Sequence, residues 1–528
     1  MPRLLQTGFL RSSERFCSRP ALEVDNRVIS YGELREFATD IAWTLDRYDQ
    51  SDSSLTAVFG YRSAVAFAGV IAALLRGHGY VPLNRTFPIE RTRQMLERSG
   101  CGAVVVDEGS ALQLEALLAG MSRQLIVLLP DIEDVSKLVA QLPQHRVLGR
   151  GDLVHSGEPD LGSTAAADQI AYLLFTSGST GIPKGVMVAQ RNVLSYLDFI
   201  VPRYGLTADD RCSQTFDMTF DLSAHDMFVT WEVGACLCCP TQKTLIKPGA
   251  FIRNARLTTW FSVPSTVVFM SRFGMLKPGQ YENLRLSIFC GEALPVEAVN
   301  QWVAAAPNSI VENIYGPTEL TIACTAYRWD PARSPGECEQ GLVPIGEPFA
   351  GMEALIVDDQ LREVRAGADG ELVMTGPQLS LGYWQDEAQT RQAFVQLPHK
   401  TGTYYRTKDR VRRAAPERPM VYLGRLDSQV KILGHRVELG EVEAAVRRAA
   451  GVAGVVAVGW PITPSGADGI EVFVESESTN TEAVLADLKT VLPTYMVPRR
   501  IHPLGRFPLN VNGKFDRKAL VQRLSETA

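Results

Sequence analysis

Short apolar runs alternate along the first half of this chain with segments whose apolar residues recur at helical spacing. Residues 103–107 (Ala-Val-Val-Val-Asp) read as a strand, 112–121 as a helix and 124–129 as a second strand, an alternation that predicts βαβ units and parallel sheets. The longest uncharged apolar run, residues 64–75, stops at Arg76. It falls short of the roughly 18–20 apolar residues of a membrane-spanning helix, so no membrane span is predicted. Residues 160–168 are small and polar and read as an exposed linker ahead of the apolar strand 170–175. Residues 370–376 and 421–424 read as strands of an antiparallel region. After Gly424 the character changes: 431–438 alternates like a strand, 440–450 is helical, 454–459 and 469–475 are strands, and 480–491 is helical. That order predicts a compact α+β unit at the end of the chain.

Composition narrows the classes of function. The 528 residues carry 53 basic and 59 acidic side chains, a formal charge of −6, so no global positive field exists to hold a polyanion and nucleic-acid binding by bulk charge is excluded. With 45% hydrophobic and 21% charged residues, a chain this long buries large cores without disulfide staples. The N-terminus breaks its apolar pieces with Arg3, Arg11, Glu14 and Arg15 and lacks the apolar core of a secretory signal, which predicts a cytoplasmic protein. Nine scattered cysteines fit a reducing compartment. Cys236, Cys238 and Cys239 contain a CxxC spacing, but with no second pair and no nearby His they read as small apolar thiols of a buried strand.

The first chemistry lies in Phe175-Thr-Ser-Gly-Ser-Thr-Gly-Ile-Pro-Lys-Gly185. Directly after an apolar strand it gathers the hydroxyls of Thr176, Ser177, Ser179 and Thr180 with Gly178 and Gly181, and adds the cation of Lys184. Hydroxyls, unhindered backbone N–H groups and a cation are what a polyphosphate needs. The spacing differs from GxxxxGK[ST], because the lysine follows Gly181 by three residues and a proline intervenes, so this is no P-loop. A serine hydrolase is excluded by the lack of a GxSxG elbow.

This segment resembles the signature of the adenylate-forming superfamily, which includes acyl-CoA synthetases, luciferase and the adenylation domains of nonribosomal peptide synthetases. Further motifs of that family follow in order: Ile29-Ser-Tyr-Gly-Glu-Leu34, Gly79-Tyr-Val-Pro-Leu83, Phe220-Asp-Leu-Ser-Ala-His-Asp-Met-Phe228, Asn313-Ile-Tyr-Gly-Pro-Thr-Glu319, residues 370–384, Tyr405-Arg-Thr-Lys-Asp409, Gly424-Arg-Leu-Asp-Ser-Gln-Val-Lys431, Leu492-Pro-Thr-Tyr-Met-Val-Pro498 and Asn512-Gly-Lys-Phe-Asp-Arg517. The resemblance implies an α/β fold: a large N-terminal domain, residues 1–423, of packed αβαβα sheets plus a β-barrel-like subdomain, and a small mobile α+β lid, residues 424–528.

The resemblance also implies roles. In such enzymes a carboxylate attacks the α-phosphate of ATP, so neutralising and positioning two anions are the main tasks. Glu319, beside Thr318, resembles the Mg²⁺-binding glutamate, and a hard cation suits it. Lys514 resembles the lysine that contacts the carboxylate and α-phosphate oxygens, with Thr176 in the phosphate loop. Asp409 resembles the acceptor of both ribose hydroxyls, and Tyr315 the aromatic that stacks on adenine, with Asn313, Gly316 and the backbone of Gly291, Glu292 and Ala293 near its edge. Arg425 and Asp427 fall where the family hinges. Departures are Lys408 in place of a glycine before Asp409, Arg410 after it, and Leu433 in place of a frequent Arg.

Asp221 stands where peptide-synthetase domains pair an aspartate with the substrate α-ammonium; the alternative reading is a loop cap. The remaining pocket wall by motif position is Leu222, His225, Ser262, Ile288, Cys290, Ile314, Ile322 and Ala323, which implies a small or medium uncharged side chain. His225 either bonds a polar substrate group or packs. Phe289-Cys-Gly-Glu292 and Gly434-His-Arg-Val-Glu-Leu439 are similar to D-alanine:carrier-protein ligases, and the whole pattern to free-standing enzymes that load small amino acids, so alanine, serine, proline and β-amino acids stay open. With eight residues after Leu520, a fused carrier domain is not expected, and the predicted acceptor is the phosphopantetheine thiol of a separate carrier protein. The competing readings are an acyl-CoA ligase for a small carboxylic acid and a catalytically silent nucleotide-binding scaffold.

Overall fold

A computed structural model describes residues 3–156, 166–178, 183–413, 415, 418–508 and 515–527. Most of the predicted linker, and the predicted site residues Ser179, Thr180 and Lys514, lie outside the described residues.

Two large sheets form the body of the molecule. One has seven strands, in the order Arg146–Leu148, Ile126–Leu128, Ala103–Val106, Leu55–Phe59, Gly79–Leu83, Ile170–Thr176 and Lys184–Ala189, parallel except for the last pair. The other has nine, with the parallel strands Arg211–Ser213, Thr259–Ser262, Leu286–Phe289 and Ile310–Tyr315 at its centre. Alternation explains the layers: Ala103 and Val105 point into the cluster between the sheets, Val104 and Val106 into the outer helical layer. Helix Ala64–Leu75 is apolar on every side because it lies in the layer between the sheets, and all but its first residue are buried. The motif around Ser30 is a capping box. Ser30 accepts from the Glu33 amide at the start of helix Tyr31–Tyr48, and the Glu33 carboxylate takes the Ser30 amide.

A third, antiparallel sheet joins Glu353–Val357, Asp369–Thr375, Tyr404–Arg412, Phe394–Val395 and Val421–Arg425. The strands from Gln429 onward pair only with one another, in sheets of four and three, and carry two apolar clusters of their own. Two expectations change in detail. The helical run 112–121 is shortened to Leu114–Leu118. Residues 431–438 are two strands, Gln429–Ile432 and His435–Glu438, because Leu433 (φ 50°) and Gly434 (φ 82°) turn the chain back through left-handed backbone. Among the described residues no helix is long and apolar enough to cross a membrane.

Candidate nucleotide and amino-acid site

The C-terminal ends of the central strands carry the site, as expected at the carboxyl edge of a parallel sheet. A cavity of about 670 Å³ opens there, within the size range of small-molecule sites. It is lined by Thr176 and Ser177 at the end of strand Ile170–Thr176, by Cys290 and Gly291–Ala293 after Leu286–Phe289, and by Asn313–Thr318. Asp221, Leu222, Asp409, Arg425 and Asp427 complete the set brought together from the sequence. Ile288, Ile322 and Ala323 lie in the apolar cluster of the body rather than on the cavity surface. Ser262 faces a second cavity, of about 330 Å³, and donates to the Val263 carbonyl. His225 is buried against Phe261, and its Nδ1 lies 2.6 Å from the Tyr196 hydroxyl. Burial pushes its imidazole down to about 3, so it is neutral.

Four polar atoms of residues lining the cavity are buried with no partner: Thr176 Oγ1, Asp221 Oδ2, Arg91 Nε and His435 Nδ1. Such orphans are costly unless a ligand satisfies them. Asp221 precedes helix Leu222–Val233 without making a side-chain capping bond to it. Burial pushes its carboxyl up to about 6, against the stabilising Thr318 hydroxyl, with Glu319 adding repulsion and Lys431 relieving it.

At the nucleoside end, the Asp409 carboxylate receives the Tyr315 hydroxyl at 2.5 Å and the Arg425 guanidinium at 2.8 Å. Arg425 also forks onto Asp427 at 3.0 and 2.7 Å, which fixes the start of the C-terminal unit to this carboxylate. Asn313 donates to the Pro344 carbonyl at 2.8 Å. Lys408 holds φ 61°, so the lysine adopts the backbone that the family's glycine supplies. Its amide donates to Glu371 at 3.2 Å, and its carbonyl accepts from Leu426.

Glu319 is fully buried. Its Oε1 takes the Tyr383 hydroxyl at 2.7 Å and Lys184 at 3.4 Å, and its Oε2 takes Arg436 at 3.0 Å. Burial alone would raise this carboxyl, but the Arg436 and Lys184 cations and the Tyr383 hydroxyl hold it well below the usual carboxylate range. Oxygen donors of this kind suit a hard divalent cation. Lys431, Arg436 and His435 on the cavity wall received no role from the sequence. A signal existed: once the turn is placed at Leu433 and Gly434, Lys431 and Arg436 become a directly opposed cross-strand pair. Like charges there are destabilising unless anions face them.

With this geometry the chain falls into a class. It belongs to the AMP-binding enzyme family, which matches residues 9–384, and it has the adenylation-domain fold. It is 32% identical to the Vibrio cholerae adenylation domain AlmE, solved with glycyl-adenosine-5'-phosphate, with a TM-score of 0.88 over 100% of this chain and 98% of that one. It is 30% identical to an L-proline–[L-prolyl-carrier protein] ligase of Pseudomonas fluorescens over 99% of both chains. It is 31% identical to tyrocidine synthase 3 of Brevibacillus parabrevis over 95% of this chain. The chain spans only 7–13% of the length of three such large synthetases.

Proposed function

We propose that this chain activates a small, uncharged amino acid with ATP and passes it to the phosphopantetheine thiol of a carrier protein. The observation that carries the reading is the partnerless Asp221 oxygen, buried on the same cavity wall as Thr176, Tyr315 and Asp409. An ionised carboxylate there needs a cation, and the α-ammonium of an amino acid supplies one while its carboxylate faces the phosphates. In the first half-reaction a substrate carboxylate oxygen bonds to the α-phosphorus, the Pα–O bond to the β-phosphate breaks, and pyrophosphate leaves. Lys514 is the proposed cation at that centre, Thr176 and Lys184 belong to the phosphate loop, and Asp409 and Tyr315 hold ribose and adenine. Mg²⁺ held at Glu319 would neutralise phosphate charge.

In the second half-reaction the thiol sulfur bonds to the acyl carbon, its proton leaves, and AMP departs. The smaller cavity shares Phe87, Thr219, Phe220, His435 and Tyr495 with the larger, and it is the proposed route for the thiol arm. The likeness to a prolyl-carrier-protein ligase and to a domain solved with glycyl-AMP supports a small substrate. Residues 1–423 are the proposed body and 424–528 a lid that alternates between the two half-reactions. Product analysis tests the reading: mass spectrometry should find the amino acid on a holo-carrier protein. A small non-amino acid found on coenzyme A instead would establish the acyl-CoA ligase.

A further inference from the structure

Chemistry that the nucleotide site does not use lies in the nine-stranded sheet. Strand Cys236–Cys238 is flanked there by two parallel neighbours, Arg211–Ser213 on one side and Pro20–Val24 on the other. Alternation along the strand sends Leu237 and Cys239 into the central cluster. Cys236 and Cys238 go together into the cluster that holds Phe251 and Ile252 of helix Pro248–Asn254. The register sets their neighbours: Cys238 stands opposite Glu23, and Cys236 opposite Arg211. Glu23, Cys236 and Cys238 line neither cavity. In the sequence the thiols have no third ligand close by, because Glu23 comes from the far N-terminal end of the chain.

The donor atoms converge. The two sulfurs are 3.9 Å apart, and a Glu23 carboxylate oxygen and both sulfurs all lie within 4.8 Å of one another. A tetrahedral ion with metal–sulfur bonds of about 2.3 Å holds two sulfurs about 3.8 Å apart. A disulfide fits less well. Residues two apart in an extended strand keep their Cα atoms about 6.6 Å apart, at the long limit for a bridge. Both thiols are buried, while the Glu23 side chain keeps 32% of its surface exposed and gives an entry path.

Arg211 supplies the remaining charge. Its guanidinium engages Glu23 through Oε2, and its Nε donates to the Ala255 carbonyl at 2.5 Å, which fixes it beside the thiols. A carboxylate has two oxygens, so Glu23 can keep Arg211 on one and give the other to a metal. Without metal, guanidinium and carboxylate balance each other beside two neutral thiols. With metal, two thiolates and the carboxylate carry three negative charges against a divalent ion and the guanidinium. Both states are neutral, which is what burial demands.

We propose that Glu23, Cys236 and Cys238 form a binding site for a thiolate-seeking divalent ion of the zinc class, with Arg211 as counter-charge and a water in the fourth position. On binding, each sulfur loses its proton to solvent and bonds the ion, and the carboxylate bonds through its second oxygen. Sulfur donors select such an ion over Mg²⁺. The ion joins strand Pro20–Val24 to Cys236–Cys238 where the register pairs Leu22–Leu237 and Glu23–Cys238 hold them, so its role is structural. The site stands whether or not the chain activates an amino acid.

Co²⁺ is titrated into the full, metal-stripped chain under a phosphine reductant and then displaced with Zn²⁺. A thiolate-to-cobalt charge-transfer band is expected, saturating at a single ion per chain and lost on adding Zn²⁺. Zn²⁺ binding should release about two protons and slow hydrogen exchange in strand Pro20–Val24. Cys236→Ser and Cys238→Ser are each expected to weaken Zn²⁺ binding at least about tenfold. Cys239→Ser, whose sulfur lies 3.5 Å from Gln214 Oε1 on the opposite face, is expected to bind like the wild type. Glu23→Gln, at a part-exposed position, should keep the band with at least about tenfold weaker affinity, and it covers the case of serine variants that fold poorly. No cobalt–thiolate band in the wild type would overturn the proposal. So would an affinity unchanged in Cys236→Ser, Cys238→Ser and Glu23→Gln, which would mean an adventitious ion only.

Discussion

Asp221 carries the account at the scale of single residues. Its carboxyl is pushed up to about 6 by burial in a wall where one of its oxygens has no partner. Only the ionised form attracts an ammonium group. Below pH 6 the free enzyme should therefore lose affinity for the amino acid, and above it regain affinity, so kcat/KM should show an acidic limb near pH 6. Asp221→Asn should remove that limb. It should also lower kcat/KM about 10- to 100-fold, the worth of a charged hydrogen bond of roughly 1.5–3 kcal/mol. A pH–rate profile of both proteins with one amino acid checks the two statements together.

At the scale of elements, the hairpin of strands Gln429–Ile432 and His435–Glu438 and its supporting helix decide which face of the C-terminal unit meets the site. Gly434 has φ 82°, and a Cβ there would sit 2.4 Å from Val263 Cγ1, on the body. Gly434→Ala should therefore prevent docking. Transfer from preformed aminoacyl-AMP to a thiol should slow by at least about tenfold, the worth of some 1.4 kcal/mol, and single-turnover thiolation measures it. Glu441→Gln would leave the buried Arg91 without its counter-charge, a cost of about 3–5 kcal/mol against the docked arrangement. Faster hydrogen exchange across helix Leu439–Ala450 is the expected sign.

At the scale of the whole molecule, the two half-reactions should separate genetically. Lys514→Ala should lower ATP–pyrophosphate exchange by about 10²–10³, as loss of one charge-stabilising donor does, while Gly434→Ala spares exchange relative to thiolation. Comparing both rates in both variants checks the division of labour. Much of this organisation is legible in the sequence, because strand alternation, the capping box at Ser30 and the order of motifs are local signals. Much of the nucleotide wall follows too, since Thr176, Tyr315 and the Gly291–Ala293 segment stand at or just after strand ends. The roles of Lys431 and Arg436 were not legible, because they depend on a turn at Leu433. A leucine in left-handed backbone is not a turn signal that composition reveals. The placement of Ser262 in a neighbouring cavity and of His225 in the core against Tyr196 were likewise tertiary facts, set by Trp260 and Tyr196.

The central claim, activation of an amino acid through Asp221, is met most directly by ATP–pyrophosphate exchange across a panel of L- and D-amino acids. The panel should include glycine, alanine, serine, proline and β-alanine, beside the matching carboxylic acids that lack the amine. The account predicts exchange with a small uncharged amino acid, lost in Asp221→Asn. Exchange supported only by acids without an amino group would contradict it.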